Sequence, residues 1–232
     1  MIEKVKSSIA VIPARGGSRR IPGKNMIEFG SKPALAHAIG LVLQSGVFDG
    51  VLVSTDDPQI AECARSEGAQ VIDRPAELSD DYTPIQPVIV HAIDSVPNAE
   101  VVCLVLSTAI LLAPERLCRA HEMLLSDQSL DFVIGVRRFE SPPQRGLLLD
   151  KNGFVSMQSP EMFNKRSQDL PALFHDAGQF AFGRREAWVS GKPSFTSRTR
   201  AVELPRWEAV DIDDPEDLIF AKLLFKLNNK NE

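Results

Sequence analysis

Cysteine is scarce and unpatterned in this chain of 232 residues: Cys63, Cys103 and Cys118 are odd in number and form no C-x-x-C pair. That excludes a disulfide framework or a cysteine-based metal site and fits buried thiols in a reducing compartment. The chain also lacks any run of about twenty uninterrupted apolar residues, so no transmembrane helix is expected. The apolar stretch at 9–13 is too short for the core of a signal peptide, and the expectation is a cytoplasmic protein that engages no membrane. No long Lys/Arg run offsets the formal charge of −5, which argues against a nucleic-acid surface; any anion site must be local. Internal repeats and low-complexity tracts are absent too. What remains is ordinary globular composition, 44% hydrophobic and 25% charged, with enough chain for one generous domain and its own core.

Apolar runs and helical stripes alternate along the chain. A strand at 9–13, a polar glycine-containing loop and a helix at about 33–44 come first. Leu35, Ala38, Ile39, Val42 and Leu43 fall on one face of that helix, and Gly46 stops it. A strand at 51–53, a helix at 58–67 and a strand at 69–72 follow. After a polar loop come a helix ending at Ile93, a strand at 101–106, a helix at 114–125 and a strand at 132–136. Strand runs that are apolar at every position are buried on both faces, so the pattern predicts an α/β fold with a doubly wound, mostly parallel sheet. Residues 137–175, with Pro142, Pro143, GLLLD and a KNG turn, break the rhythm and read as an inserted hairpin lobe carrying specificity or dimer contacts. Strand-like segments at 179–182, 200–204 and 210–213 return the chain to a last helix from Pro215, capped by Asp214 with Asp217 in its first turn. One domain over 1–232 is the economical reading.

The segment ARGGSRRIPGKN, residues 14–25, packs Arg15, Arg19, Arg20 and Lys24 into ten positions without an acid. Gly16 and Gly17 let the backbone turn and present N–H groups, while Arg forks and a Lys point charge suit a polyphosphate. A cationic cluster alone reads equally as a solvated loop. Its place after the first strand favours a ligand site, because such folds bind at the carboxyl ends of their parallel strands. It is no P-loop: Ser18 stands where the first glycine belongs and Asn25 replaces the hydroxyl residue. The G-x-G-x-x-G fingerprint is missing as well.

Near the other terminus, Asp211 and Asp213 in AVDIDDPED would project to one side of a strand with Ile212 inward. Paired carboxylates with phosphate oxygens and water make a Mg²⁺ site, and the same acids read equally as a helix-capping cluster. Asp56 and Asp57 fit caps for the helix at Pro58. His37, His91 and His121 fit packing or solvent-exposed roles, Trp188 and Trp207 core or interface anchors.

ARGGSRRIPGKN, VSTDD, RPAELSDDYT, HDAGQF and DIDDPED, in that order, resemble the acylneuraminate cytidylyltransferase family, over nearly the whole chain from Ile9 onward. RSQDLPALFHDAGQF, residues 166–180, is similar to its pseudaminic acid branch. The resemblance implies a nucleotide-diphospho-sugar transferase-like fold and transfer of CMP from CTP to the anomeric hydroxyl of a nonulosonic acid, with Mg²⁺ as cofactor and a homodimer whose lobe approaches the partner's site. Arg15, Gly16, Gly17, Ser18 and Lys24 would then hold the triphosphate, with Asn25, Arg74 and Thr83 near the cytidine. Asp211 and Asp213 would hold the metal, and Arg15, Lys24, Asp211 and Asp213 would form the catalytic set. Arg166, Gln168, His175, Asp176 and Gln179 would lie near the sugar, although Arg166 and Gln179 could equally bind a partner subunit and His175 could be a structural histidine. Two departures stand out. LSTAILL replaces a proline-containing segment after the fourth strand, and Ala181-Phe182 replaces Tyr-Trp, implying a roomier pocket floor. Legionaminic or N-acetylneuraminic acid as acceptor, and a non-catalytic nucleotide-binding homologue, are the competing readings.

Overall fold

The structure, a computed structural model, describes residues 7–228. The chain runs β1 (Ser8–Pro13), a short ribbon of β2 (Glu28–Phe29) and β3 (Lys32–Pro33), α1 (Ala34–Ser45), β4 (Gly50–Thr55), α2 (Pro58–Ser66) and β5 (Gln70–Asp73). It continues through α3 (Ile85–Ile93), β6 (Val101–Val105), α4 (Pro114–Ser126) and β7 (Phe132–Arg138). A hairpin of β8 (Leu147–Leu149) and β9 (Val155–Met157) then precedes β10 (Phe174–Arg184), α5 (Arg185–Val189), β11 (Thr199–Glu203) and α6 (Pro215–Asn228).

Seven strands form one sheet in the order β11-β7-β10-β6-β1-β4-β5. All run parallel except β10, which is antiparallel to both of its neighbours. Winding reverses at β1, with β4 and β5 on one side and β6 on the other, the arrangement that opens a crevice at the strand ends. The uninterrupted apolar runs have a plain cause. In β1, Ala10 and Ile12 enter one core cluster while Ile9 and Val11 enter the cluster on the opposite face; β4 and β6 divide their residues the same way. Cys103 is buried in the first cluster, where burial pushes its thiol well up. Cys63 and Cys118 are only partly buried, and all three thiols are free.

Local signals set the helix ends. Asp57 Oδ1 accepts the N–H groups of Gln59 (2.8 Å) and Ile60 (3.1 Å) at the start of α2. Asp214 caps α6 through Glu216 and Asp217, and Asp217 Oδ2 reaches back to the N–H groups of Asp213 and Asp214, a reciprocal box. Gly46, left-handed at φ 66°, ends α1. Leu43, expected on the buried face of that helix, is 53% exposed. Among the described residues no helix is long and apolar enough to cross a membrane.

Two expected segments differ. The ladder between β7 and β10 continues through Arg138↔Phe174 and Arg137↔His175, so the sheet takes up both edges of the span expected as a lobe. The segment 210–213, expected as a strand, lies in no strand at all. A third apolar cluster holds it instead: Ile21 from the basic loop, Phe29, Leu111, Val210, Ile212 and Ala221 pack together. Each buried isoleucine here contributes roughly 1.5–3 kcal/mol, and this cluster joins the amino-terminal loop to the carboxyl-terminal aspartates.

Candidate active site

The basic loop leaves β1 at the winding reversal and is pinned at several points. Ala14 N–H donates to Ser54 O at 2.9 Å and Gly16 N–H to Asp56 Oδ1 at 3.0 Å. Asn25, almost fully buried, donates from Nδ2 to Arg15 O (2.8 Å) and accepts the Ser107 hydroxyl (2.5 Å). Gly16 is required by space, since a Cβ there would meet Asp57 Oδ2 at 2.7 Å; at Gly17 nothing lies within 4 Å.

A cavity of about 490 Å³ opens over this loop at the carboxyl ends of β1 and β6. Arg15, Ser18, Arg19, Arg20, Lys24 and Asn25 line it, with Arg74 and Thr83 from the loop after β5, Ser107 and Thr108 from after β6, and Asp213. The cationic loop and the second aspartate thus share one cavity. Arg20 Nη2 lies 2.7 Å and Lys24 Nζ 3.5 Å from Asp213 Oδ1, and Lys24 also donates to Ile212 O at 2.6 Å. Arg74 is buried and held by Ser54, through Nε to the hydroxyl (3.1 Å) and Nη2 to the carbonyl (2.6 Å). Burial lowers its pKa, opposed by Asp56 and reinforced by Arg15. Thr83 sits in a turn organised by Asp80, which accepts its N–H (2.6 Å) and hydroxyl (2.7 Å); those bonds, with one from Tyr82, lower the Asp80 pKa.

Four separate side chains position the aspartate segment. Arg137 Nη1 donates to Ala209 O (3.0 Å), Gln179 Nε2 to Val210 O (3.3 Å) and Lys24 to Ile212 O, while Asp217 accepts the N–H of Asp213 (3.0 Å). Asp211 keeps solvent-exposed surface, yet protein crowds its carboxylate. Desolvation therefore raises its pKa, and Asp213 adds to the rise while Lys24 opposes it, with smaller contributions from Asp217 and Asp176. Two mutually repelling hard-oxygen donors suit a divalent cation of the Mg²⁺ type, whose remaining positions go to phosphate and water. Among the described residues no cluster of three or more His, Cys, Asp or Glu is arranged to hold a metal, so the pair would depend on such outside ligands.

The residues expected near the sugar are not all brought together. Gln179 is 1% exposed, and its Nε2 is committed to the carbonyls of Ala177, Gly178 and Val210, which makes it a brace for the aspartate segment. Asp176 accepts the N–H of Gly178 in a turn at the irregularity of β10. Gly178 is left-handed at φ +60°, and a Cβ on it would fall 2.8 Å from Asp211 Oδ2. His175 accepts from Arg137 Nε at Nε2 (3.3 Å), so its Nδ1 carries the hydrogen given to Asp176 O (2.7 Å). Arg166 pairs with Asp169 on an exposed face, and Gln168 lines a separate cavity of about 290 Å³ with Phe139, Pro142 and Leu173. Neither is in the wall of the main cavity. Of the Ala181-Phe182 departure, neither residue lines the cavity over the basic loop; Phe182 is fully buried and stacks on Phe48 at 5.5 Å. In LSTAILL, Ile110 packs against the third apolar cluster in place of a proline, while Ser107 and Thr108 face the cavity. Ser107, Thr108 and Asp81 were missed as wall residues; the signal for Ser107 and Thr108 was their position just beyond the end of β6, while Asp81 lies well past β5 in the polar loop before α3.

Comparison with known proteins agrees with this geometry. A family model described as cytidylyltransferase matches residues 9–223. A pseudaminic acid cytidylyltransferase of Campylobacter jejuni is 39% identical over 97% of this chain and 98% of its own. An N-acylneuraminate cytidylyltransferase of Streptococcus agalactiae is 29% identical over 91% of this chain and 51% of its own. A solved CMP:2-keto-3-deoxy-manno-octonic acid synthetase, complexed with CTP, shares the fold at TM-score 0.71 and 19% identity, covering 96% of this chain and all of that one. With a cationic loop and Asp213 lining one cavity, and with a family match across the sheet that builds it, the chain belongs to the cytidylyltransferase family.

Proposed function

We propose that this enzyme transfers CMP from CTP to the anomeric hydroxyl of a nonulosonic acid, pseudaminic acid in particular, and releases pyrophosphate. The observation that carries the reading is the shared cavity, in which four cationic side chains of one loop and Asp213 face each other. The 39% identity to the Campylobacter enzyme, which runs the length of both chains, supports pseudaminic acid as acceptor over the N-acylneuraminate alternative.

In this scheme Arg15, Ser18 and Lys24, with the backbone of Gly16 and Gly17, hold the triphosphate. Arg74 and Thr83 address the cytidine from the β5 loop, and Asn25 fixes the loop under it. Attack on the α-phosphorus builds charge on equatorial and leaving oxygens, so positioning and cationic stabilisation are most of what the protein supplies. A Mg²⁺ ion held by Asp211 and Asp213 would neutralise charge on phosphate and sugar oxygens. In this reading Asp213 takes the proton of the attacking hydroxyl. The bulge at 176–179 and the lobe face the acceptor, with His175 and Asp176 nearest the aspartates and Arg166 and Gln168 reaching it from a second copy. The exposed apolar residues of the lobe, including Leu147, Leu149, Phe154 and Phe163, at 62–74% accessibility, support a homodimer. Three free thiols suit the cytoplasm.

The test is pyrophosphate release with Mg²⁺, each of four nucleoside triphosphates and a panel of nonulosonic acids. CTP with pseudaminic acid should give the highest kcat/KM. Faster turnover of legionaminic or N-acetylneuraminic acid would overturn the acceptor, and CTP binding without release under any sugar would overturn the reaction.

A further inference from the structure

The cations of the basic loop are already engaged. Arg15 Nη2 lies 2.5 Å from Asp81 Oδ1, and Arg19 Nε pairs with Asp81 Oδ2, so one carboxylate spans two guanidinium groups with an oxygen for each. All three side chains line the main cavity, and the Asp81 side chain is only 19% exposed. The neighbouring acid does different work: Asp80 organises the turn by accepting the N–H groups of Tyr82 and Thr83. Among the described residues, no turn hydrogen bond to the Asp81 side chain accompanies its two ion pairs.

A carboxylate and a phosphate ask the same thing of an arginine, a pair of acceptor oxygens facing the guanidinium fork. A triphosphate approaching Arg15 and Arg19 therefore meets an anion tethered in its place. We propose that Asp81 is an internal competitor for the nucleotide's phosphates, a specificity-determining residue that a polyphosphate must displace. This inference rests on the CTP reading of the cavity. To replace both ion pairs a ligand must set an anionic oxygen against each guanidinium, which the phosphate chain of a triphosphate can do. The apparent affinity of every polyphosphate is then its intrinsic affinity reduced by the fraction of molecules in which Asp81 has let go. Asp81 also lies two residues from Thr83, so its release and the seating of the base occur on one turn.

The experiment is calorimetric titration of the full chain with CTP and with inorganic tripolyphosphate, both in excess Mg²⁺, for the wild type, Asp81→Asn and Asp81→Glu. Asp81→Asn keeps shape and removes charge; it should bind both ligands about tenfold more tightly, the size expected for two partly exposed ion pairs. Asp81→Glu retains the competitor and should stay within about twofold of wild type on the same arithmetic. If CTP binds Asp81→Asn no more tightly than wild type, the proposal is overturned while the site stands. Equal tightening by Asp81→Glu would assign the effect to shape and overturn it too. Failure of wild type and both variants to bind either ligand would remove the CTP reading, and the inference with it.

Discussion

Replacing Gly178 by alanine separates what the bulge in β10 does for the fold from what it does for the site. Gly178 has φ +60°, and a Cβ there would lie 2.8 Å from Asp211 Oδ2 and 2.9 Å from the carboxyl carbon. Gly46 has nearly the same backbone, φ +66°, with nothing within 4 Å, at the far end of α1. Both alanine variants carry left-handed strain of about 1–2 kcal/mol. For a chain of this size that corresponds to a melting temperature lower by roughly 2–8 °C. Only Gly178→Ala must also move a carboxylate. Because a side-chain end yields more easily than backbone, the extra cost in stability is small, but a displacement on the order of 1 Å in a catalytic group can cost about 10²-fold in rate. Gly178→Asn relieves part of the strain, since asparagine tolerates this region, and keeps the collision. The expected order is therefore comparable melting temperatures for Gly46→Ala and Gly178→Ala, a higher one for Gly178→Asn, and loss of pyrophosphate release in both Gly178 variants alone. If Gly178→Ala turns over within a few-fold of Gly46→Ala at matched stability, the claim that this turn positions Asp211 is wrong.

Other perturbations reach different parts of the molecule. Asp213→Asn should lower kcat by about 10²-fold or more at saturating Mg²⁺; near wild-type turnover would remove Asp213 from the reaction. Gln179→Leu leaves the Val210 carbonyl short of a partner, at a cost of about 1–3 kcal/mol, and should raise the Mg²⁺ concentration for half-maximal activity with the sugar KM unchanged; a rise in sugar KM alone would restore Gln179 as a sugar contact. Burial depresses the pKa of His121 below its ordinary 6.5, Asp49 opposing, with Ser8 Oγ 2.8 Å from Nε2. Its contribution to stability is complete above pH 6.5 and is lost as the pH falls through the depressed folded value, because the unfolded chain takes up its proton first. His121→Gln should flatten the fall of the urea midpoint between about pH 7 and pH 5, and an unchanged slope would refute the assignment. Leu149→Asp, at a residue 73% exposed on the lobe, should shift the mass seen by light scattering toward a monomer; a wild type that is already monomeric refutes the dimer.

The sheet was legible because burial on both faces leaves a direct mark, consecutive apolar residues at 9–12 in β1, 51–53 in β4 and 101–105 in β6. The cap at Asp214 and Pro215 was legible because its chemistry is local. The meeting of the basic loop with Asp213 followed from topology and from charge. What escaped depends on partners remote in sequence. The alternation VDID reads as a strand, and Ile212 does point inward, but its backbone bonds go to Lys24 and its neighbours' to Arg137 and Gln179, which no local pattern announces. Gln179 reads as a ligand contact because a polar residue interrupts an apolar strand, yet the interruption serves a buried carbonyl. Arg166 forms an i,i+3 ion pair with Asp169 outside the cavity wall, and the role of Asp81 was hidden because its arginines lie more than sixty positions earlier.

Hydrogen bonding along a ladder is indifferent to residue type, whereas a knot tied by side chains can be retied by one codon. The stretch bearing Asp211 and Asp213 is fastened in the second way, and three of its fastenings, Arg137, Gln179 and Asp217, stand outside the cavity wall. Drift at any of them can re-aim the two carboxylates while every strand stays in register. Proteins that share both aspartates and the whole sheet can therefore diverge in catalytic power through residues outside the cavity wall.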